Sequence, residues 1–186
     1  MEDVTFADKG IQFKDYPVTP ASIFPDGMVL WNEIREADPD CWPPELRLQT
    51  GEILFVTAEK REAFAVVCHR HNIPLIRRVD VWADLLDPFL DTEFTEEDQQ
   101  RTIGRLTQSG FSESEVQQIR NRVEKIMLAY NYFAWEWMFF GLFDLFIAYG
   151  LTTNRRLRKI KSNWRPAAKK KIYWWAIEIA NRGRQL

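Results

Sequence analysis

Only two cysteines, Cys41 and Cys68, and two histidines, His69 and His71, occur among the 186 residues. Two cysteines cannot build a disulfide framework, and neither belongs to a metal-finger spacing. The run Cys68-His69-Arg70-His71 is short of the four ligands a structural zinc ion takes. On a helix Cys68 and His71 lie one turn apart, whereas His69 and His71 point about 200° from each other. The run therefore reads as the polar end of a helix. Glycine is scarce, at eight residues, and no glycine-rich phosphate loop or dinucleotide fingerprint is found. A G-x-S-x-G nucleophile turn is absent as well. No internal repeat or low-complexity linker divides the chain. The first ten residues, MEDVTFADKG, hold no basic stretch followed by an apolar one, so secretion by a signal peptide is not expected and a reducing, cytoplasmic setting is the default. No cofactor is implied.

Core material is plentiful. Hydrophobic residues make up 46% and aromatic residues 14%, with eight Trp and thirteen Phe. A chain of this length and composition builds one packed domain, and most of its aromatics have to be buried or sit at an interface. The net charge of -2 conceals an asymmetry. Residues 1–153 carry 14 Lys and Arg against 26 Asp and Glu, a net of -12; residues 154–186 carry 11 against 1, a net of +10. The chain is an acidic body with a basic end.

Residues 1–51 hold six of the nine prolines. Proline fixes φ and removes a donor, so this segment is expected to wrap over the domain as extended or irregular chain. It should pack Phe6, Phe13, Tyr16, Phe24 and Trp42 against other elements, and residues 28–37 (MVLWNEIREA) are its one helical candidate. Residues 52–79 read as a β-α-β unit: a strand at 52–56 (EILFV), a helix over 58–71 with Thr57 as N-cap and Ala63, Val66 and Val67 on its inner face, and a strand at 73–76 (IPLI) in parallel pairing. The strand-to-helix turn is VTAEK, without the glycines of a nucleotide site.

Residues 80–150 are the helical core. Asp80, Asp84, Asp87 and Asp91 recur at intervals of 4, 3 and 4, which puts four carboxylates on one stripe of a helix bent near Pro88. The plain interpretation is a solvated acidic face. The sharper one is a docking surface for the basic end or a site for a divalent metal ion, although the glycine and alternating ligands of a calcium loop are missing. Thr95 and Asp98 form a capping box for the next helix, Gly110 ends it, and Ser112 caps a third with Phe111 turned inward. From Ser112 to Gly150 the apolar residues Val116, Ile119, Val123, Ile126, Tyr130, Phe133 and Trp137 make one seam. Beyond Lys125 the run is apolar nearly all round. It is long enough to span a membrane, but Glu136 and Asp144 would each cost about 2.5 to 3.5 kcal/mol at a bilayer centre. A core helix is the expectation. Unbroken, 39 residues would extend about 58 Å, longer than the roughly 40 Å diameter of a compact domain of this size. A break is therefore expected near Asn131 or Gly141.

Residues 151–186 mix bases with aromatics. A helix should begin at Pro166, run to about Asn181, and turn Ile172, Trp175, Ala176 and Ile179 inward. Thr152-Thr153-Asn154 could cap another. Three readings of this end compete: packing onto the acidic body, binding of nucleic acid through Arg155, Arg156, Arg158, Lys159, Lys161, Trp164, Lys169, Lys170 and Lys171, and adsorption to an anionic membrane surface.

The expected fold is thus α+β, a mainly helical single domain around a long, kinked central helix with a small β-α-β element. For function the residues carry no recognisable catalytic motif. The leading expectation is a non-catalytic binding, adaptor or regulatory protein with a protein partner or self-association, because interfaces favour Trp, Tyr and Arg. Nucleic-acid binding through the basic end is one alternative. The other is an enzyme using carboxylates, either Glu136 and Asp144 as candidate acid and base, eight residues and about 80° apart on a helix, or the Asp80 to Asp91 stripe.

Overall fold

The computed structural model describes residues 3–90, 95–134, 138–153 and 165–186, and the side chains of residues 133 and 134 are not part of that description. The fold is α+β, with two small three-stranded antiparallel sheets and six helices among the described residues.

The first sheet joins β1 (Asp3–Ala7), β2 (Gly10–Lys14) and β3 (Gly27–Leu30). Alternation builds it: Val4, Ile11, Phe13 and Val29 point inward while Thr5, Met28 and Leu30 point out. Gly10 faces Leu30, and a Cβ there would stand 2.0 Å from the Val29 carbonyl oxygen. The second sheet joins β4 (Ile34–Asp38), β5 (Glu45–Leu48) and β6 (Ile53–Phe55). Residues 28–37 are therefore not helical as expected. They form β3, one 3-10 turn at Trp31–Glu33, and most of β4. Val29 and Ile34 bury where Met28 and Leu30 do not, so pairing with β2 and β5 overrides a local pattern that suited either structure. Phe13 and Tyr16 are buried and Phe6 and Phe24 half-buried, but Trp42 is 59% exposed.

Helix α1 (Arg61–Arg70) follows a 3-10 turn at Ala58–Lys60. Its inner face is Phe64, Val67 and Cys68, not the face containing Ala63 and Val66, which are exposed. Phe64 decides the rotation, because its ring stacks on Phe6 at 6.2 Å. The returning segment makes a single parallel bridge, Leu75 to Ala37 on β4. β5 already lies between β4 and β6, and Pro74, which has no N–H, accepts from the Ala37 amide.

Helix α2 (Val81–Leu86) runs into a 3-10 turn, Asp87–Phe89, at Pro88. It is the centre of the helical layer. The Trp82 indole donates to the Ala176 carbonyl at 2.9 Å, and Leu85 and Leu86 are fully buried. Helix α3 (Glu96–Gln108) opens with the Thr95–Asp98 capping box, and Gly110 at φ +83° ends the hairpin that leads to α4 (Glu113–Ala134). The apolar seam of α4 is buried at Val116, Ile119, Val123 and Tyr130. The long apolar run is broken: residues 138–141 are not helical, and α5 (Leu142–Ala148) begins after Gly141, whose amide donates to Asp144 Oδ2 at 3.0 Å. Among the described residues no helix is long and apolar enough to cross a membrane.

The helix that Thr152-Thr153-Asn154 could cap lies outside the described residues. Thr152 and Thr153 themselves are extended and pair with Pro17 and Val18. Helix α6 (Pro166–Ala180) starts at its proline and packs Ile172, Ala176 and Ile179 inward, together with Tyr173 and Ile177. The Tyr173 hydroxyl donates to Glu52 Oε1 at 2.8 Å, and burial, with Tyr16 and Glu52 beside it, pushes its pKa up. The segment after α6 turns back along residues 77–79. The Val79 amide donates to the Arg184 carbonyl at 3.0 Å, and a Cβ on Gly183 would meet the Val79 oxygen at 2.4 Å.

Candidate functional site

Strands β4 and β5 place charges where a sheet normally buries apolar side chains. Their register sets Glu36 opposite Arg47 and Asp38 opposite Glu45, and all four are buried. A buried charge has to be compensated. Arg78 grips Glu36 through two bonds, Nε to Oε1 at 2.6 Å and Nη2 to Oε2 at 3.0 Å. Arg47 reaches Glu45 at 3.1 Å and the Asn181 side chain at 2.8 Å. Burial alone would raise the Glu36 pKa, but the hydrogen bond and charge of Arg78, with Arg35 and Arg47, hold it low. For Glu45 burial wins: together with the charge of Asp38 it raises the pKa against the pull of Arg47.

These strands end at a cleft of about 330 Å³ whose lining includes Asp38, Cys41, Trp42, Asp80, Asp84 and Phe139. Each wall has a local cause. Asp38 holds the loop after β4, since its Oδ1 accepts from the Asp40 amide at 3.0 Å and the Cys41 amide at 3.2 Å. Its Oδ2 accepts from the Arg78 amide at 3.2 Å, which ties that loop to the segment leading into α2. Trp42 stands exposed at the loop's tip, with the Arg61 guanidinium 5.7 Å from its ring centre. Asp80 caps α2, its Oδ1 accepting from the Ala83 amide at 2.9 Å. Burial, then the charge of Glu45, then that of Asp84 push its carboxyl up to about 7 against the hydrogen bonds it accepts. Burial first, then the charges of Glu45, Asp80 and Asp38, raise the Cys41 thiol, which stays protonated.

The aspartate stripe is not a solvated face. Asp84 is 4% exposed, and both its oxygens accept from Arg105 Nε, at 3.0 and 2.9 Å. Behind it Arg120 donates to the Asp84 and Leu85 carbonyls at 3.0 and 3.3 Å. Asp87 is half-buried and faces an adjoining cleft of about 240 Å³ with Arg101, Arg105 and Phe140. Burial and the Asp84 charge raise its pKa. Asp91 lies outside the described residues. The geometry thus brings Asp80 and Asp84 to one cleft, but Asp84 is committed to Arg105. Among the described residues no group of three or more His, Cys, Asp or Glu is placed to hold a metal ion.

Of the other candidates, Glu136 lies outside the described residues. Asp144 is half-buried, receives the Gly141 amide, and accepts from the Tyr130 hydroxyl at 3.3 Å. Arg155, Arg156, Arg158, Lys159, Lys161 and Trp164 are also outside the description. Lys169 donates to the Gly150 carbonyl at 2.8 Å, beyond the C-terminal end of α5, while Lys170 and Lys171 are exposed on α6. In the cysteine–histidine run, Cys68 is buried, His69 is exposed, and His71 stacks on Trp31 at 4.1 Å. Sequence reasoning missed Asp38, Cys41, Trp42 and Glu45. Their signal was the run Asp38-Pro39-Asp40-Cys41-Trp42-Pro43-Pro44, a turn sequence holding an aromatic that its own prolines keep out of regular structure.

Compared with protein-family models, curated proteins and solved structures, the chain matches none.

Proposed function

We propose that the chain is a non-catalytic binding protein whose ligand seats in the cleft at the ends of β4 and β5. One observation carries this reading: the cleft sets an exposed tryptophan, Trp42, beside a half-buried carboxyl, Asp80, that no salt bridge among the described residues compensates. Ligand sites combine apolar and aromatic walls with a few fixed polar groups and with groups of displaced pKa. Neighbouring charged side chains are engaged in structural pairs, Arg78 with Glu36 and Arg105 with Asp84. Of the lining carboxyls outside such pairs, Asp38 accepts three backbone amides and Asp40 is exposed, and Asp80 is the half-buried one offered to a visitor. The reading is tested by screening a fragment library by protein-observed NMR. Fragments that bind should shift the amides of Cys41, Trp42 and Ala83, and their binding should be lost in Trp42→Ala. Hits that shift other regions, or that bind Trp42→Ala unchanged, refute it.

The carboxylate-enzyme reading keeps one specific support. A carboxyl with a pKa of about 7 is suited to general acid–base work near neutrality, and the ion-paired Asp84 lies in the same cleft. The two readings part on turnover. Chemistry on a bound ligand that stops in Asp80→Asn while the ligand still binds would favour the enzyme.

A further inference from the structure

We propose that the cleft takes a ligand carrying a protonated amine beside a flat apolar group, with the cation on the Asp80 carboxylate and the apolar part against Trp42. This deepens the reading of the cleft as a binding site and rests on it.

The charges around Asp80 determine the sign of the ligand. Asp84 on the same helix and Glu45 on β5 act on it, and both are acidic. Asp38 lines the same cleft from the end of β4, and the Cys41 thiol beside them is neutral. Two of the three arginines of the lining are turned to other work. Arg78 is spent on Glu36 and donates to the Gly183 carbonyl at 2.8 Å. Arg105 is spent on Asp84. Arg77 is exposed. A cation entering here would meet the Asp80 carboxylate, with the exposed Asp40 also in the lining, in a field made negative by Glu45, Asp84 and Asp38, whereas an anion would meet repulsion at the floor. The walls define the remainder of the ligand. Trp42 presents an exposed ring, and Val79 and Phe139 add apolar surface. A ring face next to a carboxylate suits an arylalkylamine, which stacks on the one and forms a charge-assisted bond with the other. The volume of about 330 Å³ is at the small end of ligand pockets, which favours a compact molecule.

The test uses the whole chain and three probes of similar shape: benzylamine, benzyl alcohol and benzoate. At pH 8, above the Asp80 pKa of about 7, benzylamine should shift the amides of Trp42 and Ala83 and bind about tenfold more tightly than benzyl alcohol. Asp80→Asn, which keeps the helix cap, should erase that preference, and Trp42→Ala should weaken both probes. Equal binding of amine and alcohol at the cleft would overturn the cationic assignment while leaving the cleft a binding site. Benzoate binding more tightly than benzylamine, or an amine preference that survives in Asp80→Asn, would also overturn it. If none of the three probes shifts the cleft amides, the cleft reading itself fails along with the assignment.

Discussion

Replacing Asp80 by asparagine should stabilise the protein, and by an amount that depends on pH. In the folded chain the Asp80 carboxyl titrates near 7, against an ordinary value of 3.8. Native protein therefore binds this proton more tightly than the unfolded chain does. The stability linked to it is fully present below the unfolded pKa and is lost as pH rises through about 7. Between pH 5.5 and pH 8.5 the native form goes from almost fully protonated to almost fully ionised, while the unfolded chain is ionised throughout. Integrating that difference gives about 2 kcal/mol of stability lost by the wild type on going from pH 5.5 to pH 8.5. Asparagine does not titrate and ranks beside aspartate as an N-cap, so the bond from the Ala83 amide survives the change. The stability of the variant relative to wild type should therefore rise by about 2 kcal/mol across this window, which is about 4 to 8 °C in Tm for a chain of this size. Paired urea or thermal unfolding of both proteins at the two pH values measures the quantity. Titration of Glu36 and the surface carboxyls is common to both proteins and cancels in the difference, whereas Glu45, coupled to Asp80 by charge, contributes to it. A variant-minus-wild-type difference that is flat between pH 5.5 and pH 8.5, or that falls with pH, would refute the account of Asp80 as a carboxyl raised by burial and by Glu45.

Two further substitutions address how the site is held. Removing the partner of the buried Asp84 with Arg105→Ala should cost about 2 to 3 kcal/mol, below the full penalty of a buried pair because Arg105 is partly exposed. Asp84→Asn in that background should recover part of the loss in urea unfolding, and no recovery would show that the pair is not the cause. Gly183→Ala should force the C-terminal segment off Val79, because the added Cβ would stand 2.4 Å from the Val79 carbonyl oxygen. Faster hydrogen exchange at the Val79 and Leu186 amides, with α3 unchanged, is the expected result.

How much of this could be read from residues alone depended on the range of the forces involved. Thr95 with Asp98, Gly110 and Pro166 are set by backbone chemistry within a few residues, and the structure has them where that chemistry puts them. The break before Gly141 followed instead from the length of the run against the size of the domain, which left Asn131 and Gly141 both open. The stretch 28–37 became strand because Ile11 and Leu48, distant in sequence, pair with Val29 and Ile34. Local periodicity has no access to such partners. The acidic stripe failed for a related reason. Spacing placed Asp80, Asp84 and Asp87 on one side of a helix correctly, but spacing cannot tell water from a neighbouring arginine. Arg105 and Arg120 come from α3 and α4 and turn that side into an interior. The cleft was out of reach for the same reason, since its walls come from the loop after β4, from residues 77–79, from α2 and α3, and from Phe139. The Tyr173 hydroxyl, buried against Glu52 121 positions away, shows the same limit in the basic end. Its net charge is evident in the sequence, but the docking of α6 depends on one face of a helix whose other side carries Lys170 and Lys171.

The Asp80 prediction also bears on why such a residue would persist. A carboxyl that destabilises the ionised protein at neutral pH is replaceable by an equally good cap at no cost to the helix, so helix capping alone does not account for aspartate at this position. Groups that work against stability are retained where activity or binding needs them. Under the binding proposal the penalty has a use. An amine arriving at Asp80 supplies the counter-charge that Glu45 and Asp84 deny it, so part of the destabilisation is returned as affinity. Two independent measurements should then move together. The pH-dependent gain in stability of Asp80→Asn and its loss of preference for benzylamine over benzyl alcohol would share one origin. The gain in stability without that loss would leave Asp80 as a raised carboxyl with no cationic ligand. The loss without the gain would mean that the amine is held by a carboxylate in an ordinary aqueous setting.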